Sequence, residues 1–421
     1  MNSKQNNKSG INLLVNEIKG ESQIQGAWRF YNNENVKIDD LNNPILKEGC
    51  EQINKECKEY CLIAYDWSHI DFRNHHAKKD CIETRRSKKE AKSKGYDLQG
   101  SLAINDVTGK PITPLLMNLK TKDKVYSTYD SNIDINLKHL EELTIRSQYT
   151  NENLDIKKQI VDIVDREADS VEFLRSYHKD KRLYLVRAKD QSTLIFNNEK
   201  MQQKQLAKSM PKGKMVKTIQ YEKEDVKIYV NECDVTITRD ACKTIIDKET
   251  QKRYMKRIPG NAIKTRFVVV KLINDKQDIV ATWMLLTNVP KKVNSKTIAT
   301  WYYYRWNIET YFKLLKTSGF NLEKWKQEKA IALFKRLLIV SYVCVLVWKI
   351  QHSKQKQMEQ LRKFLTKLGG RLISRNKQAT ASSLLAGIWV FLTMMDVLSL
   401  YDLDELFTHK KNLNAFLGVD W

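Results

Sequence analysis

The sequence predicts an α/β protein: a mixed sheet with covering helices, interrupted by a β-rich segment and flanked by helical regions at both ends. Three observations predict it. Apolar runs at 61–68, 159–165 and 182–190 alternate with amphipathic helical patterns at 136–147 and 170–178, the texture of strands exchanging with covering helices. From about 191 to 290 helical periodicity fades, and β-prone stretches separated by Lys/Asn/Gly-rich turns take over. Helical patterning resumes at 296 and continues to the end, broken at Gly369-Gly370.

In chain order, residues 1–59 are polar and rich in Asn, Lys and Glu, with short amphipathic helical pieces around 11–18 and 46–59. CLIAYDWS (61–68) reads as a buried strand carrying Asp66 near its end. KKDCIETRRSKKEAKSKG (78–95) holds eight basic and three acidic residues, Arg85 and Arg86 among them, and is expected to be a loop. SLAINDVTGKPITPLLMNL (101–119) reads as two strands joined by a DVTGK turn. A helix (136–147) leads to a second apolar strand, QIVDIVD (159–165), which also ends on an acid, Asp165. Helix 170–178 and strand 182–190 complete the unit, and β-prone stretches follow at 215–221, 226–237, 266–273 and 279–287. The apolar runs 337–348 and 384–395 read as buried helices, each short of the ~18–20 residues a membrane span needs.

The chain's 421 residues carry 73 Lys+Arg against 50 Asp+Glu, a formal charge of +23. That excess argues for a polyanionic partner, with nucleic acid ahead of an anionic membrane surface, because neutralising phosphates releases counterions. The opening MNSKQNNKSG lacks an apolar signal region, so the expected location is cytoplasmic. The seven cysteines include no CxxC pair. Cys57, Cys61, His75, His76 and Cys81 match no standard zinc spacing, so buried thiols are expected.

Chemistry concentrates in YYYRWNIETYFKLLK (302–316). At about 100° per residue, Tyr302, Arg305, Glu309 and Lys316 fall within roughly 60° of one another. An exposed Arg305–Glu309 pair is worth only ~0.3–0.5 kcal/mol, and Arg preceding Glu is the poorer orientation. A plain solvated face and half of an active site both stay open on spacing alone. In the second case Asp66, Asp165 and Glu309 converge at the sheet edge as hard oxygen ligands suited to Mg²⁺ or Mn²⁺. Two such ions about 3.5–4 Å apart clamp a phosphodiester. Arg305, Lys313 and Lys316 are the basic neighbours that offset three clustered acids.

Tyr302-x2-Arg305-x3-Glu309-x6-Lys316, together with VDREADSVEFL (164–174), resembles the IS-four family of DDE insertion-sequence transposases, the transposon-five-like group. The resemblance runs from about GAWRFYNNENV (26–36) to about 395. It implies a ribonuclease-H-like catalytic core over 60–190, completed by 291–330 and interrupted by a β-rich insertion at 191–290. It also implies an N-terminal helical DNA-binding region (1–59) and a C-terminal helical region (331–421) that can support a homodimer.

By the same resemblance Asp66, Asp165 and Glu309 are the catalytic, metal-holding acids, with two Mg²⁺ or Mn²⁺ ions per site. Tyr302, Arg305 and Lys316 grip phosphates, Arg187 in YLVRAKD is a further phosphate contact, and the 78–95 loop positions DNA without reading sequence. WMLLT (283–287) resembles the segment that offers an aromatic ring to a flipped base, making Trp283 a stacking platform or, alternatively, a strand-core residue. The implied partners are double-stranded DNA at inverted-repeat transposon ends and at the target. The implied reaction is end nicking, hairpin formation and opening, then strand transfer. Two features depart from the family. Trp67 stands where Thr usually follows the first acid, which leaves Asp71 as a rival to Asp66, and fewer residues precede GAWRF than in relatives. A non-catalytic, DNA-binding relative acting as inhibitor or repressor is the alternative reading.

Overall fold

The apolar runs that end in Asp66 and Asp165 lie side by side as parallel strands at the centre of one large sheet. The computed structural model describes residues 20–84, 93–222, 224–246, 253–370 and 378–418. Helices α1 (Gly20–Asn32) and α2 (Ile38–Glu56) precede β1 (Tyr60–Asp71). Then come β2 (Ile82–Thr84), β3 (Ser93–Asn105), β4 (Pro111–Lys120), β5 (Val125–Ser127) and α3 (His139–Asn153). Strand β6 (Gln159–Val164), helix α4 (Val171–Lys179) and strand β7 (Leu183–Arg187) follow.

The β-rich segment supplies β8 (Thr193–Phe196), β9 (Glu199–Gln202), α5 (Gln203–Ser209), β10 (Lys214–Tyr221) and β11 (Glu224–Ile237). It continues with β12 (Ala241–Ile246), β13 (Arg253–Ile258), β14 (Ile263–Ile273) and β15 (Ile279–Thr287). Helices α6 (Ser295–Tyr304), α7 (Trp306–Lys316), α8 (Ala330–His352), α9 (Lys356–Leu368), α10 (Ala381–Leu400) and α11 (Leu403–Leu417) complete the chain.

The main sheet runs β5-β4-β3-β1-β6-β7-β15-β14-β11-β8-β9. Strands β1, β6 and β7 are parallel, while β3 and β4 add antiparallel on the other side of β1. This large mixed sheet with its helices fits the ribonuclease-H-like expectation. Residues 61–65 of β1 are buried on both faces, as a central strand covered by helices on each side requires. One face packs on α6, α7 and α8 through Ile298, Phe312 and Leu337, and the other on α4 through Phe173 and Leu174.

At the β3–β4 turn, the Asn105 side chain accepts from the amides of Val107 and Thr108 at 2.9 and 2.8 Å. Gly109 takes a φ of +69°, and an added Cβ there would lie 2.3 Å from the Tyr304 ring. Only glycine satisfies both demands, so this turn seats the end of α6.

Four expectations need correction. The 78–95 stretch is not simply a loop, because Ile82–Thr84 pair antiparallel with Ser93–Gly95; Arg85 and Arg86 lie outside the described residues. The β-rich segment is not a separate module: β15 hydrogen-bonds to β7, so the sheet runs on through it. Residues 302–316 form two helices meeting at Arg305, not one. The apolar runs extend into α8 and α10, helices of 23 and 20 residues that are both long and apolar enough to cross a membrane. Helix α8 is mostly buried, which accounts for its composition as a core helix, whereas most of α10 is exposed.

Lys78 is buried with its ammonium over the Phe72 ring, 4.5 Å from the centroid, and donating to the Gln327 carbonyl. Burial pulls its pKa down to about 8. The charged form is therefore disfavoured in the fold, and stability rises as pH climbs from about 8 toward the unfolded value of ~10.4. Lys78→Met should raise stability near pH 7 by about 2–3 kcal/mol, with the gain fading by about pH 10, measured as denaturation midpoints across that range.

Candidate active site

Strand register aligns the two aspartates. The last parallel pair between β1 and β6 is Ala64 with Ile163, so Asp66 and Asp165 each stand two residues further on, level with one another. β6 ends there and β1 continues, which opens a notch at the sheet edge. Asp165 caps the 3-10 turn Arg166–Ala168, accepting from the Glu167 amide at 2.9 Å. That turn is anchored by Asp169, whose buried carboxylate pairs with Arg239 and accepts from the Lys189 amide at 2.7 Å. The Asp66 carboxylate is braced by the next residue's own amide, Trp67 N–H, at 2.8 Å.

Helix α7 supplies the third acid. It lies close over β3 because Gly100, directly across from Asp66, has no side chain; a Cβ there would meet the Phe312 ring at 3.3 Å. The junction of α6 and α7 places Arg305 between two acids. Its Nη1 donates to Asp66 Oδ2 at 3.2 Å, and its Nη2 donates to Glu309 Oε1. The Arg305–Glu309 pair is therefore not a solvated helix pair: the guanidinium side chain is 10% exposed and bridges to a different element.

Electrostatics tie the acids together. Burial raises the Asp66 carboxyl above its ordinary range; Arg305 and the Trp67 amide oppose this, while the Asp165 and Glu309 charges add to it. Burial works against the charge on Arg305, yet Tyr302, Asp66, Glu309 and Asp165 together hold it above its usual pKa. Burial likewise raises Tyr302, which lies within hydrogen-bond reach of Arg187. Among the described residues, the Nε atoms of both Arg187 and Arg305 are buried without a hydrogen-bond partner.

The structure brings Asp66, Asp165, Glu309, Arg305, Tyr302 and Arg187 into one neighbourhood and leaves the other expected residues elsewhere. Asp71, the rival first acid, pairs with Arg73, and its amide donates to Glu323. Lys316 donates to the His69 carbonyl at 2.6 Å and pairs with Glu323 at 3.0 Å, so its ammonium is committed within the protein. Lys313 is exposed. Trp283, expected as a stacking platform, is 2% exposed and packed edgewise on Tyr302 with Tyr221 beyond. It offers no open face to a base here, as the strand-core alternative implied.

Sequence reading missed a cluster beside the acids, formed by Trp67, His139 and Glu167. Its one signal was the tryptophan directly after Asp66. Glu167 is raised mainly by burial and then by the Asp165 charge, which places it in the same field.

Residues 143–348 match the family model described as the transposase DDE domain. The match supports a DDE transposase family. Asp165, Arg187, Arg305 and Glu309 lie within the matched residues, and Asp66 precedes them. Curated proteins gave no match to this chain.

DDE transposases use divalent metals, and a donor set of three carboxylates without thiol or imidazole suits a hard cation. The mutual repulsion felt at Asp66 is also what such a cation offsets. As the side chains stand, Arg305 occupies the space between two of the acids. Among the described residues, no three His, Cys, Asp or Glu side chains are gathered closely enough to hold an ion.

Proposed function

We propose that the chain is a cut-and-paste DNA transposase that cleaves phosphodiesters at its element's inverted-repeat ends and joins them to target DNA. The observation that carries this reading is the Arg305 bridge between Asp66 and Glu309, level with Asp165, in a chain matching the DDE domain. Asp66, Asp165 and Glu309 would hold Mg²⁺ or Mn²⁺, two ions in the expected form. Such ions, when bound, lower the pKa of a water and stabilise the leaving oxygen.

The chain's own groups do the rest. Arg305 bridges Asp66 and Glu309 and offsets part of their charge before substrate arrives, and its planar fork can exchange one carboxylate for a phosphate oxygen. Arg187, held beside Tyr302, presents a second guanidinium to the same strand. The formal charge of +23 favours binding along the DNA backbone. On helices α10 and α11, Trp389, Leu392, Met395, Leu398 and Phe407 are all more than two-fifths exposed, an apolar face that supports a homodimer in the DNA complex.

The test uses duplexes bearing the inverted repeats that bracket the reading frame. With Mg²⁺ or Mn²⁺ the full chain should nick them at the repeat boundary, and Glu309→Ala should cut at least about 100-fold more slowly with binding retained. Tight binding of those ends by the wild-type chain without cutting overturns the enzyme reading.

A further inference from the structure

The sheet edge opposite the acids carries a cleft of its own. Lys58, Tyr60, Lys292, Lys296, Trp301 and Tyr304 line an open space of about 590 Å³ there. Tyr60 opens β1, and Asp66 stands six positions further along that strand. At ~3.3 Å per residue the cleft lies about 20 Å from the carboxylate.

Three features of the cleft suit an anion. The first is charge. Lys58, Lys292 and Lys296 are exposed around it, and the Lys217 ammonium stands 5.2 Å from the centroid of the Tyr304 ring. The two acids on its wall are already engaged. Glu59 pairs with Lys292, and buried Asp106 accepts from the amides of Lys58, Glu59 and Tyr60 at 2.9, 3.1 and 3.1 Å.

The second feature is the start of α6. The first amides of a helix have no acceptor within it. The Asn294 side chain takes that of Thr297 at 3.0 Å, which leaves the amides of Ser295 and Lys296 for solvent or an anion. The third is Tyr60, only 2% exposed. The Lys292 ammonium lies 5.7 Å from its ring centroid, and Glu59 first, then Tyr60, hold that ammonium above its ordinary pKa. The phenol therefore faces the cation on the cleft wall. Among the described residues, the buried hydroxyl has no hydrogen-bond partner to take its proton, a costly arrangement that a bound acceptor relieves.

We propose that this cleft is a second anion site, which takes the phosphate monoester of a nucleotide. The monoester dianion uses the lysines, the helix amides and the Tyr60 hydroxyl together. The cleft has the size of sites that hold small organic molecules, and Trp301, Tyr304, Val107 and Val216 give the attached nucleoside an apolar wall. The inference is independent of the cleavage reading, because none of these groups belongs to the acid cluster.

Calorimetric titration of the full chain with dAMP, without divalent metal, tests it. dAMP should bind at least about 10-fold more tightly than inorganic phosphate or deoxyadenosine. Tyr60→Phe should weaken dAMP about 10-fold or more, the loss of one hydrogen bond to a charged group. Its thermal midpoint should match wild type, since no protein group loses a partner. Lys296→Glu, on the surface, should abolish binding.

A single-stranded pentanucleotide with a 5′-phosphate, beside the same strand with a 5′-hydroxyl, separates the sources of the monoester. Tyr60-dependent binding of dAMP assigns a free nucleotide, and Tyr60-dependent binding of the phosphorylated strand alone assigns a strand end. Equal affinities for wild type and Tyr60→Phe overturn the inference, as does inorganic phosphate binding as tightly as dAMP. Either result leaves nicking at the inverted repeats, and with it the transposase reading, to be judged separately.

Discussion

Asp66→Asn is expected to abolish cleavage while leaving the protein as heat-stable as wild type, or more so, whereas Arg305→Met destabilises it. The two substitutions touch opposite ends of one contact, Arg305 Nη1 to Asp66 Oδ2 at 3.2 Å, so a simple tally of lost hydrogen bonds would rank them alike. The electrostatics separate them. Asp66 is held above its ordinary pKa, so the sum of its surroundings already disfavours its charged form even with Arg305 in place. The amide removes that charge and keeps an oxygen for the Trp67 amide and for Arg305. Removing Arg305 instead strips the cation from between Asp66 and Glu309 and leaves both carboxylates facing Asp165. Breaking one partner out of a mostly buried pair costs on the order of 3 kcal/mol. Calorimetric midpoints for both variants, beside a nicking assay with Mg²⁺, check the prediction. A marked fall in the midpoint of Asp66→Asn would show that the carboxylate is a structural anchor, not a charge stored for catalysis. A site kept less stable than its neutral variant is the usual signature of activity traded against stability.

What the sequence made legible follows from what each signal encodes. The apolar runs located β1 and β6 because a strand covered on both faces must be apolar; the acid marks the end of β6, whereas β1 runs on to Asp71 and is covered again at His69 and Ile70. Those two runs place Asp66 and Asp165 level with one another on neighbouring strands, and helical spacing places Glu309 beside Arg305. Spacing misled about the partner of Arg305, because an i,i+4 rule cannot register that a second carboxylate on β1 lies across the same guanidinium. It also treated 302–316 as one helix, whereas the chain changes element at Arg305, burying Tyr302 and turning Lys316 toward the end of β1. The β-rich segment was legible as strands but not as part of the central sheet. Pairing of β15 with β7 is a contact between residues about a hundred positions apart, and no local pattern records it. Trp67 reads only as a departure from the family pattern, for a related reason: its exposure and its contact with His139 are properties of neighbours, and the sequence shows only that it follows Asp66.

Stability should fall as pH rises from about 4 to about 7, and most of that slope should vanish in Asp162→Asn. Asp162 sits on β6, three residues before Asp165, fully buried. Tyr177 donates to its Oδ2 at 2.9 Å, while Oδ1 is buried and has no hydrogen-bond partner among the described residues. Burial raises its pKa to about 7, against the opposing pull of Tyr177, Arg182 and Tyr65. An unfolded aspartate titrates near 3.9. Between those values the folded chain holds a proton that the unfolded chain has released, so rising pH favours unfolding through that window. Above about pH 7 the full penalty is present, and below about pH 4 it disappears. A shift of about 3 units corresponds to about 4 kcal/mol. The asparagine variant carries no charge at any pH and should gain close to that amount at pH 8 and little at pH 4. Urea titrations at pH 4.5, 6 and 8 read the difference directly, and a gain that is flat across the three would remove Asp162 as its source. The geometry gives the effect a reason to persist in this chain. The buried acid hydrogen-bonds Tyr177 of α4, and Tyr177 in turn bonds Ser147 of α3. Those bonds clamp both helices of that face onto the strand whose next turn carries Asp165.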